Sequence, residues 1–356
     1  MTGLSAALDA GPLLDPPTGV GRYTRELRRN LELLGVRVVA YAVALRGRPD
    51  ATIARWRAPA RAAQLVWRRF ERPAIRALVG DVDVVHGTNF VLPALGGVPG
   101  IVTIHDLSYL RADAFPGAPR LRELAAWSLR RARLALVPTR AIGAEVVDHY
   151  ARAPEDVVVT HEGVSAVFFG ARPLAPSVLE HMGIRAPFAI AVGTLAPRKN
   201  LARLVEAWRR ARAALDGWTL VLAGPAGWGP GLEPVDGVVP VGWIGDETLP
   251  GLLAAADVFC YPSLYEGFGL PPLEAMAAGT PALVGRYPAA DEVLGDAALA
   301  VEPTDVDAIA DGLCKLAADE GLRRRLAMAG KARATLYTWE NTARATLSAY
   351  HEACGR

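Results

Sequence analysis

The sequence predicts an α/β protein built from two doubly wound, Rossmann-like parallel-sheet domains that face a cleft. Short apolar runs alternate with helical patterns along all 356 residues, the pattern of parallel strands covered by helices on both faces. The chain is longer than one typical domain, and 51% hydrophobic residues can fill two cores. The stretch from Phe169 to Pro187, FGARPLAPSVLEHMGIRAP, is proline-rich without a long apolar run and reads as a linker. The domains then read as 1–170 and 171–335, followed by a terminal helical segment, 336–356.

In the first domain a strand-like segment precedes a glycine loop. Further strands are expected at Val36–Val43, Val82–Val85, Gly100–Ile104, Leu134–Val137 and Val157–Thr160. In the second, strands are expected at Phe188–Val192, Leu220–Leu222, Val238–Val241, Val258–Tyr261 and Pro281–Val284. The last segment, Tyr337–Tyr350, reads as an amphipathic helix with Thr338 as N-cap and Trp339 and Leu347 on its apolar face. In open parallel sheets ligands bind beyond the carboxyl ends of the strands, so the loops there are where chemistry is sought.

Net charge is only +2, but residues 1–170 carry 22 basic and 16 acidic side chains and the remainder 17 and 21. That imbalance is too small for a nucleic-acid binder, while a basic first half suits an anionic membrane or acceptor. No apolar run approaches the roughly 18 residues that span a bilayer. The N-terminus lacks the basic region of a secretory signal, and Cys260, Cys314 and Cys354 lack disulfide or metal spacing. The chain therefore reads as cytoplasmic, with peripheral contact at the inner membrane face left open. The stretch Arg55-Trp56-Arg57 through Trp67-Arg68-Arg69-Phe70 is basic with interleaved aromatics. It suits either a helix on an anionic membrane or, the favoured reading, an ordinary solvated helix.

The most informative string is Glu266-Gly267-Phe268-Gly269-Leu270-Pro271-Pro272-Leu273-Glu274, two carboxylates eight residues apart across a glycine loop that enters a helix. Prolines suit a helix opening, and Glu274 is expected in its first turn. Loop amides and a helix N-terminus can hold a diphosphate, Glu274 can accept both hydroxyls of a ribose, and Glu266 can face a sugar. Gly193-Thr194-Leu195-Ala196-Pro197-Arg198-Lys199-Asn200 places two cations on a strand-to-helix turn. There they can neutralise a diphosphate leaving group. Lys199 is one of only three lysines against 36 arginines. Asp15 to Leu27 contains Gly19 and Gly21, which permit close backbone approach, although Arg25 breaks the dinucleotide fingerprint. His105 falls at the end of a buried strand, and His86 is a weaker candidate of the same kind. No paired histidine has ligand spacing, and Asp81-Val82-Asp83 precedes its strand, at the wrong end for a site, so no metal is expected.

Together these motifs, with Val137-Pro138-Thr139-Arg140, Glu292-Val293-Leu294-Gly295-Asp296 and Tyr337-Thr338-Trp339-Glu340, resemble the retaining glycosyltransferases of family four, or group 1, of GT-B fold. The resemblance runs over nearly the whole chain. It implies an acceptor-binding first domain, a nucleotide-sugar-binding second domain and a last helix that returns to the first. It implies that Arg198 and Lys199 hold the diphosphate, with Thr194 on the same turn. Glu274 would bind the ribose, Glu266 would contact the donor sugar, and the Gly267, Phe268, Gly269 and Leu270 backbone would touch sugar or phosphate. His105 and the Gly19–Gly21 loop would approach from the first domain. The implied reaction is metal-independent and cofactor-free transfer of a sugar, best mannose from GDP-mannose, to a hydroxyl of a glycan, lipid-linked or small-molecule acceptor with retention of configuration. A natural-product glycosyltransferase using another activated sugar, a GT-B epimerase or phosphorylase, and a silent nucleotide-sugar-binding partner are the alternatives. Three positions depart from the pattern: Thr194 replaces a common arginine, Asp291 precedes Glu292 where proline is usual, and His161-Glu162-Gly163-Val164 replaces Asn-Gly-Val. The resemblance assigns Glu162 no role.

Overall fold

The computed structural model describes residues 3–14, 18–47, 50–111, 115, 117–225, 227 and 234–355. They form two compact units, Met1–Gly163 with Thr338–Arg356, and Val164–Tyr337. The first contains β1 (Ser5–Asp9), β2 (Arg37–Val43), β3 (Ala54–Trp56), β4 (Val84–Gly87), β5 (Gly100–Thr103), β6 (Leu134–Val137) and β7 (Val157–Val159). The second contains β8 (Phe188–Val192), β9 (Thr219–Ala223), β10 (Val238–Gly242), β11 (Val258–Tyr261), β12 (Ala282–Gly285) and β13 (Leu299–Val301).

The strand orders are β3-β2-β1-β4-β5-β6-β7 and β10-β9-β8-β11-β12-β13, and every pairing is parallel. Helices cover both faces of such sheets, which is why central strands such as LALV and VFCY are apolar throughout and fully buried. The order reverses between β1 and β4 in the first unit and between β8 and β11 in the second. At those switch points the loops diverge and leave a crevice beyond the strand ends.

The sequence gives no clear signal for β3 or β13, each three residues long at a sheet edge, where a strand needs only one partner. The stretch expected as a linker is not one. It carries the Pro176–His181 helix, and Leu179 and Ile184 are buried in the second unit. The first unit accordingly ends at Gly163, seven residues before the expected boundary at 170.

The helix Trp339–Ala353 belongs to the first unit, with Thr338 as N-cap accepting from Asn341 N–H at 3.2 Å. Trp339 is buried, Thr342 Oγ1 donates to the His161 carbonyl at 2.7 Å, and the Tyr350 hydroxyl lies 2.8 Å from His86 Nδ1. A Cβ on Gly163 would lie 2.3 Å from the Trp339 nitrogen, so only glycine admits this close approach.

Candidate active site

In the second unit the loops after β8 and β11 meet at the switch point. Gly193 follows β8 with φ +151°, and a Cβ on Gly224 would lie 2.0 Å from the Gly193 carbonyl oxygen, so two backbones touch there. Pro197–Lys199 forms one 3-10 turn, and Asn200 closes it in the left-handed region at φ 59°. The Asn200 amide donates to the carbonyls of Pro262 at 3.0 Å and Pro303 at 2.6 Å, and Leu264 N–H donates to the Arg198 carbonyl at 2.8 Å. These bonds tie the two loops together and fix the side chains between them.

The result is a buried charge cluster. Arg198 lies 2.5 Å from one Glu266 carboxylate oxygen and Lys199 Nζ 2.7 Å from the other. Lys199 also donates to the Tyr261 hydroxyl and stands 4.5 Å from that ring's centre. Burial alone would push the Glu266 carboxyl up. The positive charges of Arg198 and then Lys199, with their hydrogen bonds, outweigh it and hold the group at about 2. Glu266 is therefore a carboxylate throughout the physiological range.

Leu270–Ala278 is the helix entered from the glycine loop, with Gly269 as its left-handed N-cap at φ 96°. Pro271 and Pro272 occupy its first turn, as expected. They carry no N–H, so the amides that can face an anion at this terminus are those of Gly269 and Leu270. Glu274 is not in the first turn: it is the fifth helical residue and is buried. Gly267 and Leu270 are buried, and Phe268 packs edge-on against Tyr337 at 5.5 Å. Thr194, on the turn after β8, is half-buried. Sequence reasoning did not single out three buried hydroxyls here, those of Tyr261, Ser263 and Tyr287. Among the described residues the Tyr287 and Ser263 hydroxyls have no hydrogen-bond partner, and a Cβ on Gly269 would lie 2.6 Å from the Tyr287 oxygen. Aromatic and hydroxyl residues at strand ends carry no spacing signal that would have found them.

In the first unit, Asp15, Pro16 and Pro17 lie outside the described residues. Gly19 and Gly21 are not loop residues: they open the helix Gly19–Leu33, whose N-cap Thr18 accepts from Gly21 N–H at 3.1 Å. Gly21 sits tightly, with an added Cβ 3.1 Å from the Pro12 carbonyl, whereas Gly19 faces open space. Asp83 is structural, accepting Ser5 N–H and Oγ at 2.8 and 2.7 Å at the amino end of the sheet. His105 lies just beyond β5 and is buried, with Nδ1 2.9 Å from a Glu162 carboxylate oxygen and Nε2 2.9 Å from the Thr88 carbonyl. His86 is also buried, between the Tyr350 and Thr103 hydroxyls, and burial pushes it down to about 3.

The description Glycosyl transferases group 1 matches residues 184–333, and Glycosyltransferase Family 4 matches 17–167. The O-antigen chain mannosyltransferase B of Escherichia coli is 32% identical over 286 residues, 75% of this chain and 74% of that protein. This chain belongs to the group 1, family four glycosyltransferases. A second relative of this glycosyltransferase, the MMP alpha-(1->4)-mannosyltransferase of Mycolicibacterium hassiacum, is 30% identical over 81% of this chain and 76% of its own length. Among solved structures, sucrose-phosphate synthase from Thermosynechococcus elongatus shares the fold, with TM-score 0.77 at 21% identity and 98% coverage of both chains. Among the described residues no helix is long and apolar enough to cross a membrane, and no group of three or more His, Cys, Asp or Glu is placed to hold a metal ion.

Proposed function

We propose that this glycosyltransferase binds a nucleoside-diphosphate sugar on its second unit and transfers the sugar, with retention of configuration, to an acceptor hydroxyl. The observation that carries the reading is the Arg198–Glu266–Lys199 cluster at the β8/β11 switch point, with Glu266 on the loop that leads into the helix opening at Gly269 and Leu270. As the donor's glycosidic bond breaks, negative charge grows on the departing diphosphate and positive charge on the sugar. Arg198 and Lys199 stabilise the first, and Glu266, fixed as a carboxylate, stabilises the second. Two cations suffice for this charge without a divalent ion. Glu274 is assigned to the ribose, and His105 with the Gly19–Gly21 segment to the first unit's side of the reaction.

The mannosyltransferase names of two relatives near 30% identity support GDP-mannose as donor and a glycan acceptor. A cytoplasmic site of action facing a membrane-borne acceptor fits the surface of the Ala60–Phe70 helix. Leu65 and Phe70 are 67% and 63% exposed there, among Arg61, Arg68 and Arg69. Apolar tips set among cations suit an anionic lipid surface. Sedimentation with vesicles containing phosphatidylglycerol, and not with pure phosphatidylcholine, is the expected result.

The donor test is a thermal-shift screen against GDP, UDP, dTDP and ADP, with and without EDTA. A ligand that binds the native state raises its apparent stability. A shift with GDP that survives EDTA and disappears in Arg198→Ala is expected. No shift with any nucleotide removes the donor-site assignment, and a shift abolished by EDTA removes metal independence.

A further inference from the structure

Glu162 stands where the resemblance expects asparagine and has no assigned role. Its partner is 57 positions away in sequence: the 2.9 Å contact to His105 Nδ1 is made with both side chains buried. The other ring nitrogen, Nε2, lies 2.9 Å from the Thr88 carbonyl oxygen. A carbonyl has no proton to give, and an ionised carboxylate has none either. With Glu162 ionised, both contacts are hydrogen bonds only if both ring nitrogens carry hydrogen, which makes the ring an imidazolium.

The neighbouring histidine supplies the internal contrast. His86 is equally buried, but its nitrogens face the Tyr350 hydroxyl at 2.8 Å and the Thr103 hydroxyl at 2.7 Å. A hydroxyl can donate or accept, so that ring is satisfied while neutral. Among the described residues the charged and titratable groups facing His105 are Glu162 beyond β7, Asp106 next along the chain, His86 on β4, and Tyr23 from the Gly19–Leu33 helix, edge-on at 4.8 Å. Burial lowers the proton affinity of His105, and the Glu162 hydrogen bond and charge, with lesser help from the Thr88 carbonyl and Asp106, reverse that and raise it overall.

We infer that Glu162 is a positioning residue that holds His105 as a fixed imidazolium, so that His105 serves glycosyl transfer as a located positive charge and not as a proton acceptor. This rests on the assignment of His105 to the reaction. Both nitrogens are engaged by the protein, so no proton moves to or from the ring in the transfer step.

The test is a long-range proton–nitrogen spectrum of the full wild-type chain near neutral pH, with the His105 signals assigned by their loss in His105→Gln. Two protonated-type nitrogens are expected for His105, and one protonated and one bare nitrogen for His86. Titration should then show His105 deprotonating above the ordinary histidine range. Glu162→Gln should lower its proton affinity at least about tenfold, and Glu162→Asp should restore most of it. The alkaline limb of the kcat–pH profile should move to lower pH in Glu162→Gln and return in Glu162→Asp. A bare nitrogen on wild-type His105 overturns the inference without any variant. Coincident pH profiles for wild type and Glu162→Gln overturn the link to the reaction. Nucleotide binding by the second unit plays no part in the ring-nitrogen spectrum, so the two readings fail separately.

Discussion

The two units wind parallel sheets around the same kind of switch point yet treat a carboxylate there in opposite ways. In the second, Glu266 is buried against two cations and held at about 2. In the first, Asp9 at the carboxyl end of β1 accepts Gly11 N–H at 2.9 Å, and burial pushes it up to about 6. Similar backbone frames thus produce one strongly ionised carboxylate and one reluctant one. The difference comes from Arg198 and Lys199 on a single turn, for which the first unit offers Asp9 no counterpart among the described residues. Fold supplies the crevice, and a few side chains decide its polarity.

The largest break of that contrast is Lys199→Met. It leaves the buried Glu266 with one cation, and unfolding by urea at pH 7 should show a loss of about 3–5 kcal/mol. A loss below about 1 kcal/mol would mean that Arg198 alone sustains the carboxylate. Next comes the acid limb. The Glu266 carboxyl is lowered in the folded chain from 4.5 to about 2, so its contribution is complete above the ordinary carboxylate value and lost as pH falls toward about 2. That contribution is about 3 kcal/mol. Denaturation between pH 5 and pH 2 should be flatter by that amount in Glu266→Gln, and an unchanged slope would count against the charge cluster.

Asp9 runs the other way. Its folded value is raised from 3.8 to about 6, so stability should fall as pH rises across that interval. Asp9→Asn should therefore stabilise the chain at pH 7, by up to about 3 kcal/mol. Destabilisation of that size would show the ionised group to be supported. Thr18→Ala and Thr338→Ala each remove an N-cap from the first unit and should each lower stability by about 1 kcal/mol. The smallest effect is expected for Tyr287→Phe. Removing a buried hydroxyl without a partner among the described residues should change stability by less than about 1 kcal/mol, toward stabilisation. A clear loss in thermal unfolding would reveal a partner for that oxygen.

Much of this was legible in the residues. Leu134–Val137, Phe188–Val192 and Val258–Tyr261 match their strands end for end, because a parallel strand buried on both faces is a short continuous apolar run. Thr338 was readable as a cap from its chemistry alone. The cation turn was readable because Arg198 and Lys199 follow directly on a strand. Other features were not. Glu274 shifted from the first to the second turn because the helix starts at Leu270, one residue before the prolines that mark its opening. Gly19 and Gly21 read as loop, yet Thr18 caps a helix that already includes them. The 169–187 stretch read as linker because proline marks both linkers and helix starts, and only packing of Leu179 and Ile184 distinguishes them.

What the sequence determined by itself was the alternation of strand and helix, the doubly wound class and the chemical types gathered at the strand ends. These follow from local periodicity and from the few residues that suit caps, turns and anion-facing loops. Tertiary structure alone decided the pairings: Lys199 and Arg198 with Glu266, His105 with Glu162, and Tyr350 with His86. Each joins residues tens to hundreds of positions apart. Their mutual distance, burial and charge, which set proton affinity and bond strength, exist only once the sheets have closed around them.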